Sequence, residues 1–296
     1  DITIGTLAGA GTLGLLIPPS IIMIVYGVSA NVSISHLFIA GVVPGLMLAT
    51  LFSGYIVFWA LLHPDKVPAI AGRTSIGQKL YASRHLIPVV LLICLVLGSI
   101  YAGIATATEA AAFGVVGALA ISGVQGSLTR KTFHDSLLGA TRLYCMIALI
   151  LAGASFLTLA MGYIGLPRRL AEWIGGLGLS QLALIVALMI FYIILGCFLD
   201  GISMVVLTMG VILPTVEKAG IDLVWFGIFI VLVVEMAQIT PPVGFNLFVL
   251  QGMTGRQITW IARNALPMFY LMIVATLLLY FFPSLVTFLP HQMKLG

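Results

Sequence analysis

Two Pro-Pro pairs, each set inside an otherwise apolar stretch, constrain this chain more than any other feature. The first lies in Gly11-Thr12-Leu13-Gly14-Leu15-Leu16-Ile17-Pro18-Pro19-Ser20 and the second in Glu235-Met236-Ala237-Gln238-Ile239-Thr240-Pro241-Pro242-Val243-Gly244-Phe245-Asn246. Proline lacks a backbone N–H and its ring clashes with the preceding turn, so each pair predicts a broken helix. Of the 296 residues, 61% are hydrophobic and 7% charged, against about 25% charged in a soluble domain. The chain therefore reads as an all-α polytopic membrane protein, with both breaks in apolar surroundings. At membrane depth a broken helix persists only where its freed backbone groups face protein, water or a bound ion. Paired interruptions in two halves of a chain point to a transporter's binding site.

The same prolines expose a repeat. The interval from Pro19 to Pro44 equals that from Pro242 to Pro267, 25 residues in each. Each unit reads as a broken helix, a short polar connector, then a helix with proline in its first turn. The connectors are 29–36 and 254–259. Lys66, Arg73, Lys79, Arg84, Arg130, Lys131, Arg142, Arg256 and Arg263 on the cytoplasmic side leave only Arg168, Arg169, Lys218 and Lys294 outside, which satisfies the positive-inside rule. With that choice the two broken helices run in opposite directions, so the repeat is inverted. The net charge of +4 thus reports topology and not nucleic-acid binding.

Between the repeats, 86–104, 110–123 and 144–164 read as membrane helices, and 124–142 as an amphipathic arm on the cytoplasmic surface. An outer amphipathic stretch follows at 167–178. The segment 181–215 is too polar at its centre for one plain span. It reads as a re-entrant hairpin with arms 182–199 and 202–213 joined at Asp200-Gly201, a single long helix being the competitor. The chain divides into 1–62 (first broken helix and the helix after it), 63–142 (scaffold and arm), and 143–180 (linking helix and outer stretch). Then come 181–283 (hairpin, second broken helix and final helix) and a tail, 284–296. A matching first hairpin would precede residue 1, and the opening Asp1-Ile2-Thr3, without Met or a signal peptide, fits a piece of a longer protein.

Asp200 is the sharpest single residue. A carboxylate at membrane depth costs several kcal/mol unless paired or hydrated. It is expected either to touch a hydrated substrate cavity or to cap the second arm, and Gly201 permits the tight turn of the tip. Glu109 reads as part of a capping box. Glu235 reads as a buried hydrogen-bond partner holding the broken segment, or as charge behind a bound cation. A helix C-terminus carries partial negative charge and unpaired carbonyls. Backbone carbonyls of Gly14, Ile17 and Pro18, and of Ala237, Thr240 and Pro241, are therefore candidate sodium ligands, with the Thr240 hydroxyl added. The helices that resume offer amides to an anionic substrate, with Ser20 and Asn246 as the nearest side-chain donors.

His36, His63, His85, His134 and His291 fall in or beside polar connectors and read as interfacial. Cys94, Cys145 and Cys197 have neither metal nor disulfide spacing. No G-x-x-x-x-G-K-[ST] loop occurs, which excludes ATP hydrolysis by this chain, and G-x-S-x-G and H-E-x-x-H are absent as well.

The run 10–20, together with Ala40-Gly41-Val42-Val43-Pro44-Gly45 and Ala105-Thr106-Ala107-Thr108-Glu109-Ala110-Ala111-Ala112, resembles the large membrane subunit of tripartite ATP-independent periplasmic (TRAP) transporters. The stretch 196–214 followed by 238–244 is similar to that subunit's second hairpin and second broken helix, and the resemblance covers essentially the whole chain. It implies an elevator-type secondary importer of organic acids in the bacterial inner membrane, driven by sodium and not by ATP. It also implies two partners, a small membrane subunit, fused or separate, and a soluble periplasmic substrate-binding protein. It supports backbone sodium ligands around Gly14, Ile17, Pro18 and Thr240, and substrate contacts at Ser20 and Asp200. The run 217–222 looks most like the sialic-acid members, with C4-dicarboxylate-type acids next. Ala107 stands where the family commonly has proline, which leaves the local backbone less defined. Two other functions fit the residues less well. A channel needs a continuous polar lining, whereas polar residues concentrate here at one depth, near Ser20, Asp200 and Thr240. An intramembrane aspartyl protease needs two carboxylates sharing a site, and Asp200 has no evident twin.

Overall fold

Apolar sequence with helical spacing and no alternating runs folds as helix. The computed structural model describes residues 2–66, 75–84, 86–242 and 244–292, and among these it contains helices and no strand. In chain order they are α1 (Ile2–Leu16), α2 (Ile21–Ala30), α3 (Ile34–Leu62), α4 (Ile76–Ser83), α5 (Ile87–Tyr101), α6 (Ala107–Val124) and α7 (Arg130–Ile164). These are followed by α8 (Leu166–Gly176), α9 (Gln181–Gly196), α10 (Gly201–Lys218), α11 (Leu223–Gln238), α12 (Phe245–Thr254), α13 (Ile258–Phe281) and α14 (Ser284–Gln292). Helices α3, α6, α7, α10 and α13 are long and apolar enough to cross a membrane, and α1 with α2 forms a span bent by 44°. The chain is a multi-pass membrane protein. Arg73, His85 and Lys294, used in the reading above, lie outside the described residues.

Two compact units divide the chain: residues up to 53 with 145–292, and residues 54–144. The larger carries both breaks. Its centre is α11, where every residue from Trp225 to Ala237 is buried against α1, α2, α9, α10, α13 and α14. Polar groups at this core are tied down: Tyr26 Oη donates to the Leu223 carbonyl at 2.7 Å and Trp225 Nε1 to the Leu279 carbonyl at 3.0 Å. Helix α1 instead buries one stripe, Gly5, Ala8, Gly9, Thr12 and Leu16. Gly5 lies against the Asn264 carbonyl, and a Cβ on Gly9 would be 2.8 Å from Met268 Cβ. This is the small-residue spacing that lets membrane helices approach closely, here α1 against α13.

In the smaller unit α5 and α6 pack where Gly117 meets Leu92 and Gly114 meets Val96. The start of α6 is a capping box: Thr106 N donates to Glu109 Oε2 at 2.8 Å and Glu109 N to Thr106 Oγ1 at 3.3 Å. Ala107 occupies the first helical position, where proline is favoured but not needed once the box is formed.

Two sequence expectations change, and the two-armed reading of 181–215 holds. Pro44 and Pro267 were expected in the first turn; both lie in the third turn of α3 and α13, because these helices begin earlier, at Ile34 and Ile258. The stretch 124–142 is not a separate arm: from Arg130 it runs without interruption into α7. The segment 181–215 is two helices and not one, with the chain leaving helical geometry between Gly196 and Gly201.

Candidate functional site

In an unbroken α1, Pro18 and Pro19 would donate to the carbonyls of Gly14 and Leu15. Neither has an N–H, so those carbonyls lose their helical donors. Pro241 and Pro242 do the same to Ala237 and Gln238 of α11. Both Pro-Pro bonds are cis. The first break closes with Ile17 N donating to the Leu13 carbonyl at 2.9 Å. At the second, Thr240 N donates to the Ala237 carbonyl at 3.2 Å and the Thr240 hydroxyl to the Met236 carbonyl at 2.6 Å. Ala237 thus regains a donor. The Gln238 and Thr240 carbonyls converge on Gly244, each 2.9 Å from where a Cβ would stand. That convergence makes glycine necessary there.

The helices that resume are matched in length and ending. α2 and α12 have 10 residues each. They stop in left-handed caps, Asn31 at φ 53° and Gly255 at φ 66°, a conformation that asparagine and glycine tolerate best. Ser20 is the N-cap of α2, buried, and accepts from Met23 N at 3.4 Å. Gly244 holds the same place before α12 and supplies no side chain.

The hairpin tip docks onto both breaks. Asp200 caps α10, accepting from Ile202 N at 3.0 Å and Ser203 N at 3.2 Å, with the Ser203 hydroxyl donating to its second oxygen. The capping expectation therefore holds, and the carboxylate remains exposed. Gly196 lies directly against the Ala237 side chain, and a Cβ on Gly201 would be 2.5 Å from Val234 Cγ1 and 3.3 Å from Ile22 Cδ1. The tip thus contacts α11 one turn before its prolines and α2 two residues after Ser20. Asn246 crosses between the repeats: its side-chain amide donates to the Ala8 carbonyl at 3.5 Å, beside Gly11.

The two breaks present different flanks to a ligand. Gly14 borders open space and Ile17 is 41% exposed. Thr240 and Pro241 line a cavity of about 230 Å³ with Ile239, Ala262, Arg263, Leu266 and Phe269. A guanidinium makes that cavity a poor place for a cation, so at the second break the carbonyls facing Gly244 suit sodium better.

Glu235 is fully buried, and neither carboxyl oxygen has a hydrogen-bond partner. The expected partner role is met in placement, with the Thr12 side chain and the Leu16 backbone facing the carboxyl group, though not in full hydrogen-bond geometry. The Thr12 hydroxyl donates to the Gly9 carbonyl at 2.8 Å instead. The run 217–222 is also structural: Gly220 turns at φ 69° and Asp222 caps α11, accepting from Trp225 N at 2.8 Å. It lies at the opposite end of α11 from the break. A second cavity, of about 390 Å³, is lined by Arg168, Glu172, Pro214 and Lys218. There the Arg168 guanidinium, bonded at 2.9 Å, holds the Glu172 carboxyl below the usual carboxylate range.

Sequence reasoning missed Gly244, Gly196 and Gly11, whose roles are close approaches between distant segments. A glycine directly after the second proline pair was the one local signal.

Comparison with known proteins identifies the family. The family model described as "Tripartite ATP-independent periplasmic transporter, DctM component" matches residues 1–285. A C4-dicarboxylate TRAP transporter large permease protein of Pseudomonas aeruginosa is 34% identical over 293 residues, covering 99% of this chain and 68% of the relative. An isethionate TRAP transporter permease protein of Oleidesulfovibrio alaskensis is 31% identical over 282 residues, covering 95% and 44%. A sialic acid TRAP transporter permease protein of Haemophilus influenzae is 29% identical over 296 residues, covering 98% and 47%.

Proposed function

Because this chain belongs to the DctM family of tripartite ATP-independent periplasmic transporters, and so is a transporter permease and not an enzyme, we propose that it imports an organic acid anion. In this reading import crosses the bacterial inner membrane and is driven by sodium held at the two breaks. One observation carries it: two breaks of the same build share one compact unit, and a hairpin tip packs on both. Carbonyls freed at Gly14 and Leu15, and those of Gln238 and Thr240 around Gly244, supply oxygen ligands of the kind discontinuous transporter helices give to sodium. The exposed Asp200 carboxylate, the Ser20 and Gly244 ends of the resuming helices, and Asn246 form the substrate side. Amides at those helix starts suit a carboxylate or sulfonate.

Sodium entering down an electrical potential supplies about 2.3 kcal/mol per charge per 100 mV, so several ions together concentrate an anion strongly. The hairpin and broken helices would move as one body, alternating access by an elevator motion. A small membrane subunit and a periplasmic binding protein complete the assembly. The relatives' names include C4-dicarboxylate, isethionate and sialic acid. Sialic acid and C4-dicarboxylates are the first solutes to test, and since 217–222 forms a turn remote from the breaks, it does not rank them.

The test is uptake by the complete transporter in proteoliposomes with that panel. Uptake should saturate, require the binding protein and require sodium. Equal uptake when potassium replaces sodium removes the coupling.

A further inference from the structure

The carboxyl group of Glu235 has an unusual place. It is in the last turn of α11 and beside the last turn of α1, where Thr12 and Leu16 are its neighbours. Both helices end there, and both ends carry partial negative charge. Neither of the ion pairs His134–Asp135 and Arg168–Glu172 involves it. Tyr192 pairs with Thr208 and Tyr26 with Leu223, so neither hydroxyl serves the carboxyl group. A fully buried carboxyl group with two negative helix ends around it is held either by a proton or by a cation that accompanies its charged form.

Its position in the chain says where that cation lies. Along α1, Thr12 and Leu16 bracket Gly14 and immediately precede Ile17 and Pro18. On α11, Ala237 and Gln238 follow Glu235 within one turn. One carboxylate thus stands behind the carbonyls of both breaks. We propose that Glu235 is the shared counter-charge for sodium at the two breaks, a positioning residue that sets sodium affinity through the field it adds to the main-chain oxygens. The proposal rests on the sodium reading above and assigns its electrostatic source to one side chain. It also predicts linkage: sodium at one break uses part of the same field as sodium at the other, so loss of the carboxylate weakens both.

The experiment is thermal unfolding of the complete, substrate-free transporter titrated with sodium, with potassium at equal ionic strength as the control. In the wild type sodium should raise the melting temperature and potassium should not. Glu235→Gln, which keeps shape and removes charge, should shift the sodium half-saturation at least ~10-fold upward, a step of about 1.4 kcal/mol. Glu235→Asp, which keeps the charge, should stay closer to wild type and serves if the glutamine variant does not fold. A purely structural role would lower the melting temperature equally in both salts and leave half-saturation unchanged; that result, or an aspartate variant as weak for sodium as the glutamine one, overturns the proposal. If sodium fails to stabilise the wild type at all, the sodium reading itself falls, and this proposal with it.

Discussion

At the first break a buried serine, Ser20, caps the resuming helix with its hydroxyl; at the second, Gly244 holds that place and two carbonyls close on its Cα. The helix before the first break buries one stripe of residues, while the helix before the second is buried on every side from Trp225 to Ala237. Gly14 borders open space, whereas the Gln238 and Thr240 carbonyls close on Gly244 beside two exposed prolines. Yet both breaks have paired prolines, 10-residue helices and left-handed caps. The backbone device is thus set by the prolines and their caps, and access to it by what packs around it. The carbonyls border open space in one place and crowd a glycine in the other.

The largest effect is expected where the hairpin meets the helix before the second break. Gly196→Val places two extra methyl groups and a Cβ on Ala237. Overpacking of this kind costs about 3 kcal/mol, and here it acts on the most buried helix. Little folded transporter should be recovered in size-exclusion chromatography; a normal yield would mean the hairpin tip does not dock on α11.

Next is Asp200→Ala. It removes two backbone bonds and a hydroxyl partner from the start of α10, a loss of about 1 kcal/mol. Transport should be abolished while the protein stays folded. Uptake at the wild-type rate would reduce Asp200 to a cap and remove it from the substrate side.

Exchanging the two caps sharpens the comparison itself. Ser20→Gly should cost a few tenths of a kcal/mol, since glycine is a tolerated N-cap. Gly244→Ser should cost more, about 1–3 kcal/mol, because its Cβ would stand 2.9 Å from each of the Gln238 and Thr240 carbonyls. Thermal melts of both variants check the order; equal losses would say the two places are equivalent after all.

The smallest effect belongs far from either break. Arg168 and Glu172 are exposed, and exposed pairs contribute little. Because the Glu172 carboxyl is held below its usual range by Arg168, the pair's contribution is present at neutral pH and fades as pH falls through the folded-state value. Glu172→Gln should leave the neutral-pH melt unchanged, and any difference from wild type should vanish on acidification.

What could be read from the residues followed from local chemistry. Proline cannot donate, so the breaks at 18–19 and 241–242 were visible, as were the caps at Asp200 and Thr106, whose partners lie within three residues. Pro44 by itself suggests a first turn, yet α3 begins at Ile34 and carries that proline in its interior. α7 was split because the charges near its start resemble a surface arm, and nothing local says that a helix continues past them. The contacts that assemble the site, Gly196 on Ala237 and Asn246 on Ala8, join residues far apart in sequence, and no periodicity reports such pairs. Glu235 illustrates the limit: its sequence context suggests a partner, and only packing shows that the groups beside it, Thr12 and Leu16, belong to the other broken helix.

The central claim is that both interruptions hold a cation on main-chain oxygens. High-resolution cryo-electron microscopy of the complete transporter, prepared once in sodium and once in potassium, tests it most directly. Sodium-specific density should appear beside the carbonyls of residues 14–18 and again beside Gln238 and Thr240. Identical maps in the two salts, or sodium-specific density only at places remote from both proline pairs, would contradict it.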